Sequence, residues 1–86
     1  MPFDIQVTAA AEKFLKKAEK TLVARITDKL QKLAQEPFPP DSKRVIGREE
    51  KIYRVRVGEY RILYVVFFEM NQILVINIDK RSKVYS

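Results

Sequence analysis

The chain of 86 residues contains no cysteine, no histidine and no tryptophan. The absence of cysteine excludes disulfides, thiolate nucleophiles and cysteine-bound zinc, and the absence of histidine excludes imidazole catalysis and the commonest metal ligand. No apolar run approaches the ~20 residues that cross a bilayer, and the first residues lack the pattern of a signal peptide. We therefore expect a cytoplasmic protein that uses neither Ser-His-Asp nor Cys-His chemistry.

Hydrophobic residues make up 47% of the chain and charged residues 33%, which is typical of a folded domain rather than a disordered segment. A chain of this length has room for one hydrophobic core but not for two. We predict a single domain over residues 1–86.

Basic residues outnumber acidic ones, 17 to 11, which gives a formal net charge of +6. Residues 1–42 contain seven Lys and Arg against six Asp and Glu, whereas residues 43–86 contain ten against five. Six of the seven arginines lie in this second half, and Arg25 is the exception. Because the guanidinium of arginine can donate two hydrogen bonds to one phosphate, we favour a polyanionic partner. The alternative is a basic surface that only keeps the protein soluble.

The apolar pattern predicts an α+β fold: an N-terminal strand, a helical hairpin and then an antiparallel meander sheet. Alternation over residues 3–7 predicts the first strand, and Thr8 is a candidate N-cap for the helical periodicity of residues 9–35. The periodicity weakens midway, which permits one long helix or a hairpin with a second cap at Thr21; we favour the hairpin because two helices cover a small sheet better. A proline-rich loop follows at residues 37–42. Later strands are predicted at residues 44–46, 51–57, 60–68 and 73–78, with a last strand-like segment at 84–85.

The dipeptide Gly58-Glu59 predicts the register of the central hairpin. Glycine in the first position suits a two-residue type II′ turn. Arg56 then faces Arg61 across the hairpin, and the apolar side chains fall on the opposite face, against the helices. This register collects three arginines on one face: Arg54, Arg56 and Arg61.

Like charges directly opposite one another destabilise a sheet, so we expect an anion beside these arginines. A bound phosphate is the functional interpretation. The structural alternatives are arginines directed into solvent, or neutralised by Glu49, Glu50 or Asp79. Apolar side chains continue the same face and form a patch that a protein partner, a second copy or the proline-rich loop could cover: Leu63, Val65, Phe67, Leu74 and Ile76.

Besides the order of its helices and strands, the chain has two informative segments: Tyr60-Arg61-Ile62-Leu63-Tyr64 and Asp79-Lys80-Arg81-Ser82-Lys83-Val84-Tyr85. Together they resemble the RelE/ParE toxin superfamily of type II toxin-antitoxin systems, over nearly the whole chain. This superfamily has a fold similar to that of microbial ribonucleases. The alternating basic residues before the turn, with Arg81 and the terminal Val84-Tyr85, resemble the RelE branch in particular.

The resemblance implies a ribosome-dependent mRNA interferase, an endoribonuclease that needs no metal or cofactor and cleaves mRNA in the A site. In such enzymes the 2′-hydroxyl attacks the neighbouring phosphate, which gives a 2′,3′-cyclic phosphate and a free 5′-hydroxyl. Carried over by position, Arg54 and Arg56 contact the scissile phosphate, Arg61 stabilises the transition-state charge, Arg81 assists the leaving group, and Tyr85 stacks on a base. Lys80, Lys83 and Arg44 are predicted as auxiliary RNA contacts.

The usual RelE pattern has lysines where this chain has Arg54 and Arg56. Arginine effectively cannot lose its proton, so the general base stays open among Glu59, Glu49, Glu50, Asp79 and an ionised Tyr85. The resemblance also implies a cognate RelB-like antitoxin, the ribosome and mRNA as partners, and we expect no homo-oligomer without the antitoxin. Two alternatives remain, a ParE-like inhibitor of DNA gyrase and a non-catalytic basic RNA-binding module.

Overall fold

Two helices cover one face of a five-stranded sheet in the computed structural model, which describes residues 2–45 and 51–80. The α+β fold class and the helical hairpin predicted from the sequence are confirmed. The strand-like segment at 84–85 lies outside the described residues. In chain order the elements are β1 Asp4–Val7, α1 Ala9–Lys17, α2 Lys20–Gln35, β2 Lys43–Arg44, β3 Tyr53–Val57, β4 Tyr60–Phe67 and β5 Gln72–Lys80.

The strands are ordered β1-β5-β4-β3-β2 across the sheet. The strands from β2 to β5 form the antiparallel meander, and β1 adds to it in parallel, with Ile5 opposite Ile73. The helical hairpin carries the chain from β1 at one edge to β2 at the other. The meander then returns to β1, so the sheet is mixed rather than wholly antiparallel.

The helices are separated by Ala18 and Glu19, both of which have extended backbone. Thr8 caps α1 as predicted, because its Oγ1 accepts a hydrogen bond from the backbone N–H of Ala11 at 3.3 Å. The predicted second cap at Thr21 is wrong: α2 begins at Lys20, so Thr21 already lies in its first turn. Among the described residues no helix combines the length and apolarity that a membrane span requires.

Apolar side chains of the helices and of one sheet face form the core, as the alternation in β3 and β4 predicts. The largest of the fully buried side chains are Tyr64, Ile26, Leu33, Ile62, Ile73, Val55 and Val75.

The proline-rich loop is fastened to this helix-packed face. The hydroxyl of Tyr64 donates a hydrogen bond to the carbonyl of Pro37 at 2.7 Å, and burial raises the pKa of Tyr64 to about 12. The ring of Phe38 packs on Tyr53 with 4.6 Å between centroids. A hydrogen bond from Lys29 at 2.7 Å lowers the pKa of Asp41 and ties the loop to α2. These contacts lie on the face opposite the arginines.

The connection between β4 and β5 is a four-residue loop, residues 68–71, in which Asn71 has a φ of 54°. Leu74 lies opposite Val65 and therefore on the same face as the arginines, as predicted. A β-bulge between Leu63 and Tyr64 adds one unpaired residue on β5.

Candidate functional site

The β3–β4 hairpin has the predicted register. Arg56 pairs with Arg61 and Arg54 pairs with Leu63, with no irregularity between the two strands. Gly58 has a φ of +60°, and Glu59 has no positive φ. Because a type I′ turn needs positive φ at both central residues, these values fit the predicted type II′ turn.

The three arginines lie on the sheet face that the helices leave uncovered. Val55 and Val57, their neighbours on β3, are buried in the core. Arg56 is exposed, whereas Arg54 and Arg61 are half-buried. The period-two alternation of the strands therefore sorts arginines and valines onto opposite faces, which brings the predicted cations together.

Asp79 lies directly opposite Arg61 on the neighbouring strand β5. Nε of Arg61 donates to Oδ1 of Asp79 at 2.8 Å, and Nη2 donates to Oδ2 at 3.3 Å. This two-point contact holds the guanidinium plane in one orientation. The alternative interpretation, neutralisation by a carboxylate, therefore applies to Arg61 through Asp79. Glu49 and Glu50, the other carboxylates of that alternative, lie outside the described residues.

Among the described residues, the arginine face carries more basic than acidic side chains, and Asp79 balances Arg61. The charge of this face is therefore compatible with the predicted anion.

The structure places two of the predicted auxiliary residues, Arg44 and Lys80, away from the arginine face. Arg44 pairs with Tyr53, which directs both side chains to the helix-packed side, while Lys43 pairs with Arg54 on the arginine side. Lys80 pairs with Tyr60 and so lies on the helix-packed side. Sequence reasoning missed Lys43 because a two-residue strand shows no alternation from which a face could be predicted.

Three predicted site residues, Arg81, Lys83 and Tyr85, lie outside the described residues. Of the candidate bases that are described, Asp79 is bound to Arg61, and Glu59 is exposed at the hairpin turn, 3.8 Å from Nζ of Lys80.

The structure adds Arg25, which sequence reasoning did not select. Its guanidinium reaches from α2 to the hairpin turn, where a Cβ built on Gly58 would lie 3.0 Å from Nη2 and 3.4 Å from Nη1. The one available sequence signal was that Arg25 is the only arginine in a lysine-rich first half.

Comparison with known proteins identifies the family. The model of the ParE toxin of type II toxin-antitoxin systems, parDE, matches residues 5–85. The chain belongs to this toxin family. A curated relative named "Putative toxin RelE1", from Methanocaldococcus jannaschii, is 30% identical over 88 residues, which cover 99% of this toxin and 97% of the relative.

Solved structures confirm the fold of the toxin. The archaeal RelE–RelB complex from Pyrococcus horikoshii contains a chain that matches it with a TM-score of 0.83 and 24% identity, over 98% of this toxin and 100% of that chain. The isolated RelE toxin of Escherichia coli matches with a TM-score of 0.81 and 21% identity, over 95% of this toxin and 87% of that chain.

In residues 2–45 and 51–80, neither helix covers the arginine face of the toxin. Within residues 2–45 and 51–80 no three metal-ligating side chains cluster. An open groove of about 470 Å³ lies between the helices and the end of the sheet, lined in part by Lys13, Phe14 and Tyr60, on the side away from the arginine face.

The predicted apolar patch continues this open face. Leu63, Val65, Leu74 and Ile76 are half-buried, and Phe67 is 40% exposed. The proline-rich loop makes its contacts on the other face. A protein partner and a second copy are the two remaining candidates for covering this patch.

Proposed function

We propose that this toxin is a ribosome-dependent endoribonuclease that cleaves mRNA in the A site and so stops translation in the cytoplasm. The observation that carries the proposal is the opposed pair Arg56 and Arg61, with Arg54 on the same open face. A single domain over residues 1–86 performs the reaction without a metal ion, with the ribosome aligning the RNA. Alignment of this kind supplies a large part of a rate enhancement, with effective molarities of about 10⁵ M or more.

In the proposed reaction the 2′-oxygen forms a bond to the adjacent phosphorus and the bond from phosphorus to the 5′-oxygen breaks. The products are a 2′,3′-cyclic phosphate and a free 5′-hydroxyl, so a proton leaves the 2′-hydroxyl and another reaches the 5′-oxygen. Arg54 and Arg56 bind the phosphate oxygens and Arg61 stabilises the charge that grows on them. Removing one such donor costs about 10²–10³ in rate.

Two further roles in this reaction are proposed for residues near the end of the chain. Arg81 stabilises the charge on the leaving oxygen, and Tyr85 stacks on a base of the codon, which contributes about 1–3 kcal/mol to binding. Asp79 serves as a positioning residue, because both of its carboxylate oxygens accept hydrogen bonds from Arg61.

A RelB-like antitoxin is the proposed protein partner. The P. horikoshii structure is of a RelE–RelB complex, and an E. coli RelE variant was solved with a peptide of the antitoxin RelBc. In this toxin the antitoxin would cover the apolar patch or displace the groups near Arg81 and Tyr85. Either arrangement keeps RNA from the arginine face until the antitoxin is removed.

Primer extension on mRNA that is being translated tests the proposal. The wild-type toxin is expected to give discrete cuts at A-site codons, and Arg61→Ala to lower the cleavage rate by about 10²–10³. Arg61→Lys keeps a positive charge beside Asp79, so it serves as a second test if the Arg61→Ala variant does not fold. Lys32→Gln removes one exposed charge from α2 and serves as the matched control, which should cleave at the wild-type rate.

Other outcomes separate the alternatives. Full cleavage by a folded Arg61→Ala variant would reject the assignment. Salt-sensitive RNA binding without cuts would favour the non-catalytic module. Arrest of DNA replication before arrest of translation in cells would favour inhibition of gyrase.

A further inference from the structure

Cations surround the tip of the β3–β4 hairpin on both sides of the sheet. Arg56 and Arg61 lie on the open face. On the helix-packed side, Arg25 reaches the tip from α2, and Lys80 lies opposite Tyr60 on β5. The positive field is therefore not confined to the arginine face but continues around the end of the hairpin.

Two acidic residues at this tip each engage one cation. Asp79 binds Arg61 at 2.8 Å, and Glu59 lies 3.8 Å from Lys80. Within residues 2–45 and 51–80, the guanidiniums of Arg25 and Arg56 make no hydrogen bond or ion pair. Four cations against two carboxylates leave two positive charges, and they belong to guanidiniums on opposite sides of the tip.

The guanidinium of Arg25 lies against Gly58 at the tip. A Cβ at position 58 would lie 3.0 Å from Nη2 of Arg25, so an added methyl group would require the guanidinium to shift by a few tenths of an ångström. Its α2 position is fixed in turn by the neighbouring residue Ile26, which is fully buried in the core.

We propose that Arg25 binds a second phosphate of the RNA strand, one that neighbours the phosphate held by Arg56 and Arg61. The strand crosses the hairpin tip, so that the two sides of the hairpin contact different phosphates. This inference rests on the proposed function in taking RNA as the ligand. A guanidinium is suited to the role because it offers several donors in a fixed plane and retains its charge.

Binding of a short single-stranded RNA with 2′-O-methyl riboses, which cannot be cleaved, tests this contact apart from catalysis. Arg25→Gln is expected to weaken binding about tenfold and to reduce the slope of log affinity against log salt by about 0.7, the value for one phosphate of a single strand. Arg25→Lys keeps the charge and should restore the slope. Lys32→Gln, two turns further along α2, should leave both quantities unchanged.

The particular phosphate is found by replacing single phosphates of the oligonucleotide with neutral methylphosphonates. At one position the replacement should weaken RNA binding by the wild-type toxin. The same replacement should not weaken RNA binding by the Arg25→Gln variant any further. The inference is overturned if the affinity losses from methylphosphonate replacement and from Arg25→Gln add at every position. It is also overturned if Arg25→Gln leaves the salt slope unchanged, or if the wild-type toxin does not bind the oligonucleotide at low salt. If the binding results are as expected but translated mRNA is not cut, the catalytic proposal fails while the Arg25 contact stands.

Discussion

At the scale of single residues, the pairing of Arg61 with Asp79 lets the sheet tolerate opposed arginines. Arg56 and Arg61 are cross-strand partners, an arrangement that repels unless another charge intervenes. Asp79 supplies that charge from the next strand and fixes the orientation of Arg61 through two hydrogen bonds. It also lowers the positive potential of this face, so under the proposed function it should have opposite effects on RNA binding and on cleavage.

We therefore expect Asp79→Asn to separate these two effects. Loss of the negative charge should raise the affinity for the 2′-O-methyl RNA a few-fold at low salt, because the net charge of the face increases. Loss of the two-point contact frees the Arg61 guanidinium to rotate, and cleavage on the ribosome should fall about tenfold or more. Affinity is measured by fluorescence anisotropy and cleavage by primer extension.

Glu69→Gln is the control for Asp79→Asn, because it removes one negative charge from the loop at the opposite end of β4. It should change neither quantity appreciably. If Asp79→Asn cleaves as fast as the wild type, Arg61 does not depend on Asp79 for its orientation. Weaker RNA binding by Asp79→Asn would show instead that the carboxylate supports the site as a whole.

At the scale of the element, the β3–β4 hairpin owes its register to its turn. Gly58 has a φ of +60°, a conformation that side chains with a Cβ adopt only with strain. The two-residue turn keeps the arginines of both strands on one face, and a one-residue slip would separate them. The position of the turn residue thus determines which groups form the candidate site.

Gly58→Ala is expected to lower the free energy of unfolding by about 1 kcal/mol or more, because alanine resists positive φ. The added methyl group also meets the guanidinium of Arg25, which must move by a few tenths of an ångström. Urea unfolding followed by circular dichroism measures the effect. Glu59→Ala, at the next position of the same turn, should change stability by less than half as much, and equal losses would mean that φ does not govern this turn.

The sequence predicted the hairpin well because its determinants are local. Glycine before glutamate, with alternating residues on either side, was enough to predict both the turn type and the face of each arginine. Arg25 could not be predicted in the same way, since its contact with Gly58 depends on how α2 packs across the sheet. The pair formed by Arg61 and Asp79 was only one of several neutralisations that the sequence allowed, because the register of β5 includes a β-bulge.

At the scale of the whole molecule, the two faces of the sheet have separate tasks. One face carries the arginines, while the other packs against the helices and holds the proline-rich loop. Tyr64 links three parts of this second face: it lies on β4, is fully buried in the core and donates its hydroxyl hydrogen to Pro37 in the loop. The loop in turn contacts α2 through Asp41 and Lys29.

The buried hydroxyl of Tyr64, hydrogen-bonded to Pro37, predicts how the stability of the toxin depends on pH. Burial raises the pKa of Tyr64 to about 12, whereas the pKa of tyrosine in an unfolded chain is about 10. The folded state therefore holds the proton more tightly, so the stabilisation is complete below pH ~10 and is lost as the pH rises from about 10 to 12. An ionised Tyr64 also could not donate its hydrogen bond to Pro37.

Tyr64→Phe isolates this contribution, because the ring remains while the hydroxyl is removed. Near pH 8 the variant should be about 1 kcal/mol less stable than the wild type, through loss of one partly buried hydrogen bond. Between pH 8 and pH 11 the wild type should lose about 1 kcal/mol more than the variant, so that the two free energies of unfolding converge. Urea unfolding across this pH range measures both curves, and the difference between the two proteins isolates the contribution of Tyr64. If the two curves stay parallel, the folded state does not hold the Tyr64 proton more tightly than the unfolded state. If the variant is as stable as the wild type at pH 8, the Tyr64 hydroxyl contributes nothing to holding the loop.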